Sequence, residues 1–369
     1  MKDYMKSIIK RKIYELGNSE INECINQIQA YMKIQYSENI SDHWVAEKLL
    51  HTTLVFGNPK ASSITSVIIP TYNRPDKLII AIKSALRQKI SDINVIVVND
   101  DTVIENQITI RHLLKSINDS RLSYYENKHK QGMFGNWNMG LAVCPTSSMT
   151  LLNDDDMLDQ NIIKDYLLSN AGALLYVPRI RLKYSNKYSI VRNTTKKIML
   201  LLKRIIVGNF NKYESIPFEK LIIGNTIHSS LGVFFNVKKA IAIGGFCETL
   251  YPSADVCFTS KYSKKEGIVY SNRILATYVW GSNISLKPEI QKMFILIDKS
   301  LKTYELSTAA IKPEWVYRAI SNLCRLSCMA KQLNYQYQDS TLRYLLTPGL
   351  EIIYRVTNLF TKVLIGLFH

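Results

Sequence analysis

Apolar residues near both ends of the chain recur every three or four positions, which is the spacing of amphipathic helices. In the first sixty residues Ile8, Ile13 and Leu16 are followed by a series with steps of three or four residues, which runs through Ile21, Ile25, Ile28 and Met32. After residue 286 the same spacing covers 288–306 and 313–333, and an apolar segment follows at 349–369. The pattern predicts a helical leader over residues 1–60 and a helical region over residues 286–369.

The middle of the chain has a different pattern, in which short apolar runs alternate with helical spacing. Strands are expected at 66–69, 94–98, 122–125 and 149–152, and helices at 75–88, 104–117 and 135–142. Less regular strands are expected at 173–177, 232–235 and 274–279. Alternation of this kind indicates an α/β domain with a mostly parallel sheet. The Gly, Pro and Ser residues at 57–63 mark its start, so we predict that the domain spans residues 61–285.

Basic residues outnumber acidic ones, with 47 Lys and Arg against 30 Asp and Glu, which gives a formal net charge of +17. Such a surface attracts polyanions, anionic lipid headgroups or phosphorylated substrates, and charge alone does not choose among them. Between Asp165 and Glu214 the chain is basic and has no acidic residue. This stretch is either a solvated loop or a surface that faces phosphate groups or a membrane.

Cysteine usage and hydropathy point to a cytoplasmic protein. The six cysteines are scattered without a CxxC pair, which is typical of a reducing compartment. Charged residues interrupt the apolar positions at the N-terminus, and no apolar run reaches the roughly 18 residues of a spanning helix. The segment 349–369 either packs on the domain or lies on a membrane surface.

Polar residues follow the predicted parallel strands at the positions where open parallel sheets bind their ligands. After the first strand, Tyr72 offers an aromatic face for a base and Arg74 offers a bidentate donor to an anion. After the second strand, Asp100 and Asp101 can accept hydrogen bonds from a base or a ribose hydroxyl. Either segment alone is equally typical of an ordinary polar turn.

Three adjacent carboxylates, Asp154, Asp155 and Asp156, follow the strand expected at 149–152. They repel one another unless water or a cation relieves the charge. Oxygen ligands without nearby His or Cys favour Mg²⁺ or Mn²⁺, which complete their coordination with water and substrate phosphates. The triplet therefore predicts a metal site, and a solvated acidic turn is the alternative.

Five motifs occur in order and together resemble those of the family 2 glycosyltransferases, which have the GT-A fold. They are VIIPTYNR (67–74), VVNDDT (97–102), NKHKQGMFGNWNMGL (127–141), LLNDDD (151–156) and GGF…SAD (244–255). The resemblance covers residues 64–285 and is to enzymes of the type that builds bacterial surface polysaccharides. It implies a nucleotide-diphosphate-sugar donor, a DxD-type metal site and inversion at the anomeric carbon with an Asp as base.

The resemblance and the chemistry of the residues together assign roles by position. The residues assigned to the nucleotide sugar are Pro70, Thr71, Tyr72, Arg74, Asp100 and Asp154. Asp155 matches the metal ligand, and Asp156 is assigned to the metal as an accessory ligand. The chain departs from the family at Asn99 and Asn153, where Asp is common.

The last motif matches residues that act on the acceptor. Asp255 falls on the Asp that takes the proton from the acceptor hydroxyl, and the alternative for this residue is a helix N-cap. Gly245 and Phe246 match a loop that faces the acceptor. His228, which precedes an expected strand, is a further candidate for acceptor contact.

These features predict transfer of a single sugar, with a UDP-sugar as the favoured donor. The expected acceptor is a glycan or a polyprenyl-diphosphate-linked glycan in capsule or O-antigen synthesis, reached by a protein that is peripheral on an anionic membrane surface. Nucleic acid is not an expected partner. A nucleotidyltransferase is an alternative, but the first βα turn, PTYNRPDK, lacks the Gly-rich phosphate loop. A non-catalytic nucleotide-sugar binder is a second alternative, although Asp255 and the acid triplet are both present.

Overall fold

A computed structural model of the chain shows a mixed α/β architecture around one central sheet. The residues that it describes are 18–184, 212–216, 218, 221, 227, 229–280 and 287–308. The helices are α1 (Asn18–Lys33), α2 (Glu38–Leu50), α3 (Pro75–Leu86), α4 (Ile104–Ile117), α5 (Gly132–Ala142), α6 (Ile162–Leu168), α7 (Val237–Ala242), α8 (Ala254–Glu266) and α9 (Pro288–Thr308).

The strands are short except near the end of the sheet. They are β1 (Thr52–Phe56), β2 (Thr65–Thr71), β3 (Ile93–Asn99), β4 (Leu122–Asn127), β5 (Ser148–Leu151), β6 (Met157–Leu158), β7 (Leu175–Tyr184), β8 (Tyr213–Ser215), β9 (Phe234–Asn236) and β10 (Ile268–Trp280). Their order in the sheet is β1-β4-β3-β2-β5-β9-β7-β10-β6, and β8 pairs with β10. Every strand that the sequence predicted is present.

The four strands β4, β3, β2 and β5 are neighbours and run parallel. Their carboxyl ends therefore meet at one edge of the sheet, which is the edge that the sequence predicts to bind ligand. The strand β9 runs antiparallel to both β5 and β7, and β7 and β10 are parallel to each other. The pairs of β1 with β4, of β6 with β10 and of β8 with β10 are also antiparallel. The predicted α/β sheet is therefore confirmed as a mixed sheet.

Two hydrophobic cores lie on opposite faces of the sheet, because successive strand residues point to opposite sides. Ile68 of β2 packs in the core formed with α1, α5, α7, α8 and α9. Its neighbours Val67 and Ile69 pack in the other core, formed with α3, α4 and α6. Pro70 is also buried in β2. Helices cover both faces, so β2 is buried along its whole length.

The predicted helical leader contains an edge strand that the pattern did not reveal. The helices α1 and α2 are present, but β1 follows them and pairs antiparallel with β4, with Thr52 opposite Asn127. Five residues are too few for alternation to separate a strand from the end of a helix. The described part of the leader therefore joins the same sheet as the predicted domain. The predicted helical positions before residue 18 lie outside the described residues.

The described part of the C-terminal region is the helix α9, as predicted for 288–306, and it packs against α1. The helix predicted at 313–333 and the apolar segment 349–369 lie outside the described residues. Across the described ranges, we find no helix whose length and hydropathy would suit a bilayer crossing.

Two buried ionisable side chains join α8 to its neighbours. The Lys261 ammonium of α8 donates to the carbonyl oxygens of Tyr31 and Ile243, and burial lowers its pKa to about 7. The Ser260 hydroxyl of α8 donates to the Glu305 carboxyl of α9, and burial raises the pKa of Glu305 to about 7. The helices α1 and α9 are therefore attached to α8 by polar contacts inside an apolar core.

Substituting Glu305→Gln should make the protein more stable above neutral pH. Because the pKa of Glu305 in the folded protein lies above its usual value of 4.5, its stabilising contribution is lost as the pH rises through about 7. Glutamine keeps an acceptor for Ser260 and carries no charge. At about pH 8 the free energy of unfolding in urea should rise by on the order of 1–3 kcal/mol, with little change at about pH 5.

The matched control is Glu289→Gln, an exposed position on the same helix. It should leave the free energy of unfolding nearly unchanged at both pH values. An equal gain from Glu305→Gln at pH 5 and pH 8 would contradict the role assigned to its charge.

Candidate functional site

The ends of β2 and β5 are joined by hydrogen bonds to one carboxylate, Asp154. Its oxygens accept from the Thr71 hydroxyl at 2.9 Å, from the Tyr72 N–H at 3.4 Å and from the Arg74 guanidinium at 3.2 Å. Burial raises the pKa of Asp154, and the charge of Arg74 opposes that rise. The structure therefore brings together four of the residues that the sequence assigned to the nucleotide sugar.

Arg74 bridges two carboxylates of the acid triplet. Its Nη1 lies 2.9 Å from Oδ2 of Asp155 in addition to its contact with Asp154, and the Lys77 ammonium lies 4.0 Å from the same Asp155 oxygen. The left-handed backbone of Asn73, with φ of 51°, turns the chain between β2 and α3. That turn allows Arg74, immediately before the helix, to reach back over the end of β5.

The third carboxylate of the triplet, Asp156, has different neighbours. It is 1% exposed, and its oxygens accept from the Val279 N–H of β10 and from the Asn153 amide, each at 2.8 Å. Burial raises the pKa of Asp156 to about 7. The structure thus gives no support to Asp156 as a metal ligand. Its side chain instead attaches the end of β10 to the turn after β5.

The remaining two carboxylates fit a hard divalent cation. One oxygen of Asp154 and one of Asp155 converge on the Arg74 guanidinium, which shows that both carboxylates can bind the same cationic group. Two carboxylates suffice for Mg²⁺ or Mn²⁺ when water and phosphate supply the other ligands. Within the described ranges, no cluster of three or more His, Cys, Asp or Glu side chains is arranged to hold a metal by itself.

Asp100, at the end of β3, holds the loop between β4 and α5. It is 3% exposed and accepts from the backbone N–H groups of Gln131 at 2.7 Å and Gly132 at 2.9 Å. The Asn127 amide donates to it at 2.9 Å. Burial raises the pKa of Asp100 despite these hydrogen bonds. Most of the hydrogen bonds that this residue, predicted to bind the base, can accept are therefore already made within the protein.

Tyr72 presents its ring at the open side of this edge, where it is 46% exposed. The ammonium of Lys130, from the loop that Asp100 holds, lies 4.3 Å from the ring centroid and donates to the phenol oxygen at 3.1 Å. That hydrogen bond raises the pKa of Lys130. Lys130 is not among the residues predicted from the sequence. The signal that could have identified it is the basic run KHK, which follows a parallel strand as the polar residues after β2 and β3 do.

The loop before α8 is fixed by α5 and α1. The Asn138 side chain exchanges hydrogen bonds with the backbone N–H and carbonyl of Phe246, both at 2.8 Å, and the Tyr31 hydroxyl donates to the Gly245 carbonyl at 2.7 Å. Phe246 is 1% exposed within a cluster of aromatic rings. Gly245 and Phe246 therefore form core structure, which does not support their predicted contact with an acceptor. The exposed residues of this loop are Glu248 and Thr249.

Asp255 is the second residue of α8 and is partly exposed. Ser253 occupies the N-cap position without a side-chain capping hydrogen bond, so Asp255 lies inside the helix and is not its N-cap. Burial raises the pKa of Asp255 to about 6. The loop before Asp255 reaches the same edge of the sheet. Its Tyr251 contacts Phe134 in the first turn of α5, and the N–H of Gly132 in that turn donates to Asp100.

Two predicted features of the site lie wholly or partly outside the described residues. His228 is one of them. The basic stretch after Asp165 is described at its two ends, where Arg179, Arg181 and Lys183 lie on β7 and the Lys212 ammonium lies 3.5 Å from Asp165.

A comparison with protein families identifies the domain. Residues 66–222 match the family model described as Glycosyl transferase family 2. This match covers less than half of the chain and agrees with the ordered motifs, which predicted similarity to the same family.

Among curated proteins, the chain is similar to two bacterial transferases. One is the GalNAc(5)-diNAcBac-PP-undecaprenol beta-1,3-glucosyltransferase of Campylobacter jejuni, 39% identical over 94 residues. The other is the UDP-Glc:alpha-D-GlcNAc-diphosphoundecaprenol beta-1,3-glucosyltransferase WfgD of Escherichia coli, 24% identical over 159 residues. The alignments cover 25% and 43% of this chain and 30% and 55% of those proteins. The chain thus matches less than two thirds of the length of either relative.

A solved structure supports the fold over nearly the whole chain. The mannosyltransferase PcManGT from Pyrobaculum calidifontis, in complex with GDP-Man and Mn²⁺, is similar with a TM-score of 0.50 and 12% identity. The similarity covers 95% of this chain and 97% of that one. The predicted GT-A fold is confirmed.

Substituting Asp100→Asn should destabilise the protein. Asparagine offers one accepting oxygen where aspartate offers two, so the N–H of Gln131 or Gly132 would lose its partner. The free energy of unfolding in urea should fall by about 1–3 kcal/mol. The control Asp92→Asn, at an exposed site on the opposite edge of the sheet, should change it little. Equal stabilities of the two variants would show that Asp100 does not hold the loop.

Proposed function

We propose that the protein transfers a single sugar from a nucleotide-diphosphate sugar to a hydroxyl group of a glycan or lipid-linked glycan. The observation that carries this proposal is the convergence of Thr71, Tyr72, Arg74, Asp154 and Asp155 at the carboxyl edge of the sheet of a family 2 glycosyltransferase domain. This edge combines an aromatic face, a cation and a pair of carboxylates, which suit the base, the diphosphate and the sugar of one donor.

The donor would lie across the ends of β2, β3 and β5. The exposed ring of Tyr72 provides a stacking surface for the base, and the Arg74 guanidinium provides donors for a phosphate. Asp154, already oriented by Thr71 and the Tyr72 N–H, provides an acceptor for hydroxyl groups of the ribose or the sugar. Because the Thr71 hydroxyl and the Tyr72 N–H already orient Asp154, little ordering of this carboxylate is needed when the donor binds.

Asp155, with Asp154 beside it, is the residue that would hold Mg²⁺ or Mn²⁺. A divalent cation in that place would neutralise charge on the departing diphosphate. Asp155 is the better candidate because its contacts come from the side chains of Arg74 and Lys77, which can move, whereas Asp154 also accepts from a backbone N–H.

Asp255 is proposed as the base of an inverting reaction. The acceptor oxygen forms its bond to the anomeric carbon as the bond to the diphosphate breaks, and the proton of the acceptor hydroxyl passes to the Asp255 carboxylate. A pKa near 6 makes the carboxylate a stronger base than an exposed Asp while it remains ionised at neutral pH. Glu248 and Thr249, which are exposed in the loop before it, are proposed to contact the acceptor.

The acceptor class is proposed from chemistry and from the relatives. The names of both relatives specify an undecaprenol diphosphate acceptor. A net charge of +17 suits an enzyme that meets such an acceptor on an anionic membrane surface. We propose that the protein acts at the cytoplasmic face of the membrane in the assembly of a surface polysaccharide such as a capsule or O-antigen.

Substitutions at the two Asp residues should separate donor binding from transfer. Asp155→Ala should weaken Mn²⁺-dependent binding of the nucleoside diphosphate by roughly tenfold or more. Asp255→Ala should leave that affinity unchanged and lower the transfer rate by about 10²–10⁴-fold. Isothermal titration with UDP and GDP measures binding, and release of nucleotide in the presence of acceptor measures transfer.

The control for both substitutions is Asp92→Ala, on the opposite edge of the sheet. It should retain both binding and transfer. Equal effects of Asp155→Ala and Asp255→Ala on binding would contradict the separate roles, and failure of the unaltered protein to bind any nucleoside diphosphate would refute the proposed function.

The transfer rate should depend on pH with the sign expected for a carboxylate base. Because Asp255 acts in its ionised form, kcat/KM should rise tenfold per unit at low pH and level off above a pKa of about 6. A rate profile measured from about pH 4.5 to pH 8 with a fixed metal concentration checks this. A profile that is flat across pH 6 would argue against Asp255 as the base.

A further inference from the structure

We propose that Lys130 selects the base of the donor nucleotide by donating a hydrogen bond to the carbonyl oxygen at position 4 of a pyrimidine, or position 6 of a purine, that stacks on Tyr72. This inference rests on the proposed function and names the group that would read the base at the same site. It favours nucleotides of uracil, thymine and guanine over those of cytosine and adenine.

Asp100, which the sequence predicts to bind the base, has little accepting capacity left for it. A carboxylate accepts about four hydrogen bonds, and Asp100 already accepts three, from Gln131, Gly132 and Asn127. It is also 3% exposed. A residue so enclosed offers a bound base at most one acceptor, and an ionised carboxylate has no donor, so a hydrogen bond to a carbonyl oxygen of the base must come from another group.

Lys130 is the group that the structure places there. Its ammonium lies over the exposed ring of Tyr72, 4.3 Å from the centroid, and donates to the phenol oxygen at 3.1 Å. The backbone beside it is fixed, because Asp100 holds the N–H groups of the two following residues, Gln131 and Gly132. A base that stacks on Tyr72 therefore meets the Lys130 ammonium either on the ring or at its edge.

Neighbouring cations are less suited to this role. The Arg74 guanidinium is engaged by Asp154 and Asp155 at the end of β5. Lys128 lies two residues further from the part of the loop that Asp100 holds, and its own N–H bonds to the carbonyl of His51 next to the edge strand. Lys128 is accordingly a matched control, since it is a lysine of the same exposed loop.

The chemistry of an ammonium group determines which bases it can read. It has three donors and no acceptor, so it binds a carbonyl oxygen and is repelled by the donor face of an amino group. Uracil and cytosine differ at position 4, where uracil has an oxygen and cytosine an amino group. Guanine and adenine differ in the same sense at position 6. Comparing UDP with CDP and GDP with ADP therefore isolates the contact.

The experiment is isothermal titration of UDP, CDP, GDP and ADP in the presence of Mn²⁺. The proteins compared are the unaltered protein, Lys130→Met, Lys130→Arg and Lys128→Met. The unaltered protein should bind UDP about tenfold more tightly than CDP, or GDP about tenfold more tightly than ADP, or both. Lys130→Met should bring that ratio close to one, while Lys130→Arg and Lys128→Met should retain it.

Each other outcome has a distinct meaning. If Lys130→Met keeps the ratio of the unaltered protein, or weakens both members of the pair equally, Lys130 does not read the base and the inference fails. The same holds if the unaltered protein binds nucleotides without preferring the carbonyl member. If the unaltered protein binds none of the four nucleotides, the proposed function itself fails. Circular dichroism spectra identical to that of the unaltered protein confirm that the variants are folded.

Discussion

The site depends on one constraint, which is that a carboxylate removed from water must be compensated by donors from its surroundings. Asp100, Asp154 and Asp156 are each at most 6% exposed, and they stand after β3 and β5. Each takes N–H groups from a different segment of backbone. These segments are the β4–α5 loop, the turn after β2 and the end of β10. Compensation of three charges thus assembles the edge of the sheet.

The acid residues at this edge fall into two groups, which differ in the groups that compensate their charge. Asp100 and Asp156 have their oxygens directed at the protein, where they fix loops. Asp154 and Asp155 are compensated mainly through the Arg74 side chain, which can rearrange when a ligand brings its own charge. The candidate binding residues are therefore those compensated by a charged side chain, and the supporting residues are those compensated mainly by backbone N–H groups and side-chain amides.

Much of the fold was predictable from sequence because its strands are continuous apolar runs bounded by polar turns. The predicted parallel order of these strands is enough to place Thr71, Asp100 and Asp154 at one edge of the sheet. The pattern missed β1, whose five residues follow a helix and are defined by pairing with β4, some seventy residues later in the chain. Local spacing carries no information about such a partner.

The roles of individual side chains were harder to predict for the same reason. Whether Asp156 faces a ligand or the backbone is decided by Val279, 123 residues away along the chain. Whether Phe246 is exposed is decided by Asn138, Trp137 and Phe258, which come from two different helices. A motif identifies the residue types at a site, but the contacts that orient them arise only when distant segments pack.

The contact of Lys261 with α1 bears on how the chain divides into parts. A fragment limited to residues 64–285, the span of the ordered motifs, would lack Tyr31, and the buried ammonium would retain one carbonyl partner in place of two. Tyr31 also supplies the ring beside that ammonium, at 4.2 Å, and the hydroxyl that holds Gly245. The helix that bears Asp255 is thus built partly from sequence that precedes the first motif. The region that the family comparison matches is therefore smaller than the part of the chain that packs together around this helix.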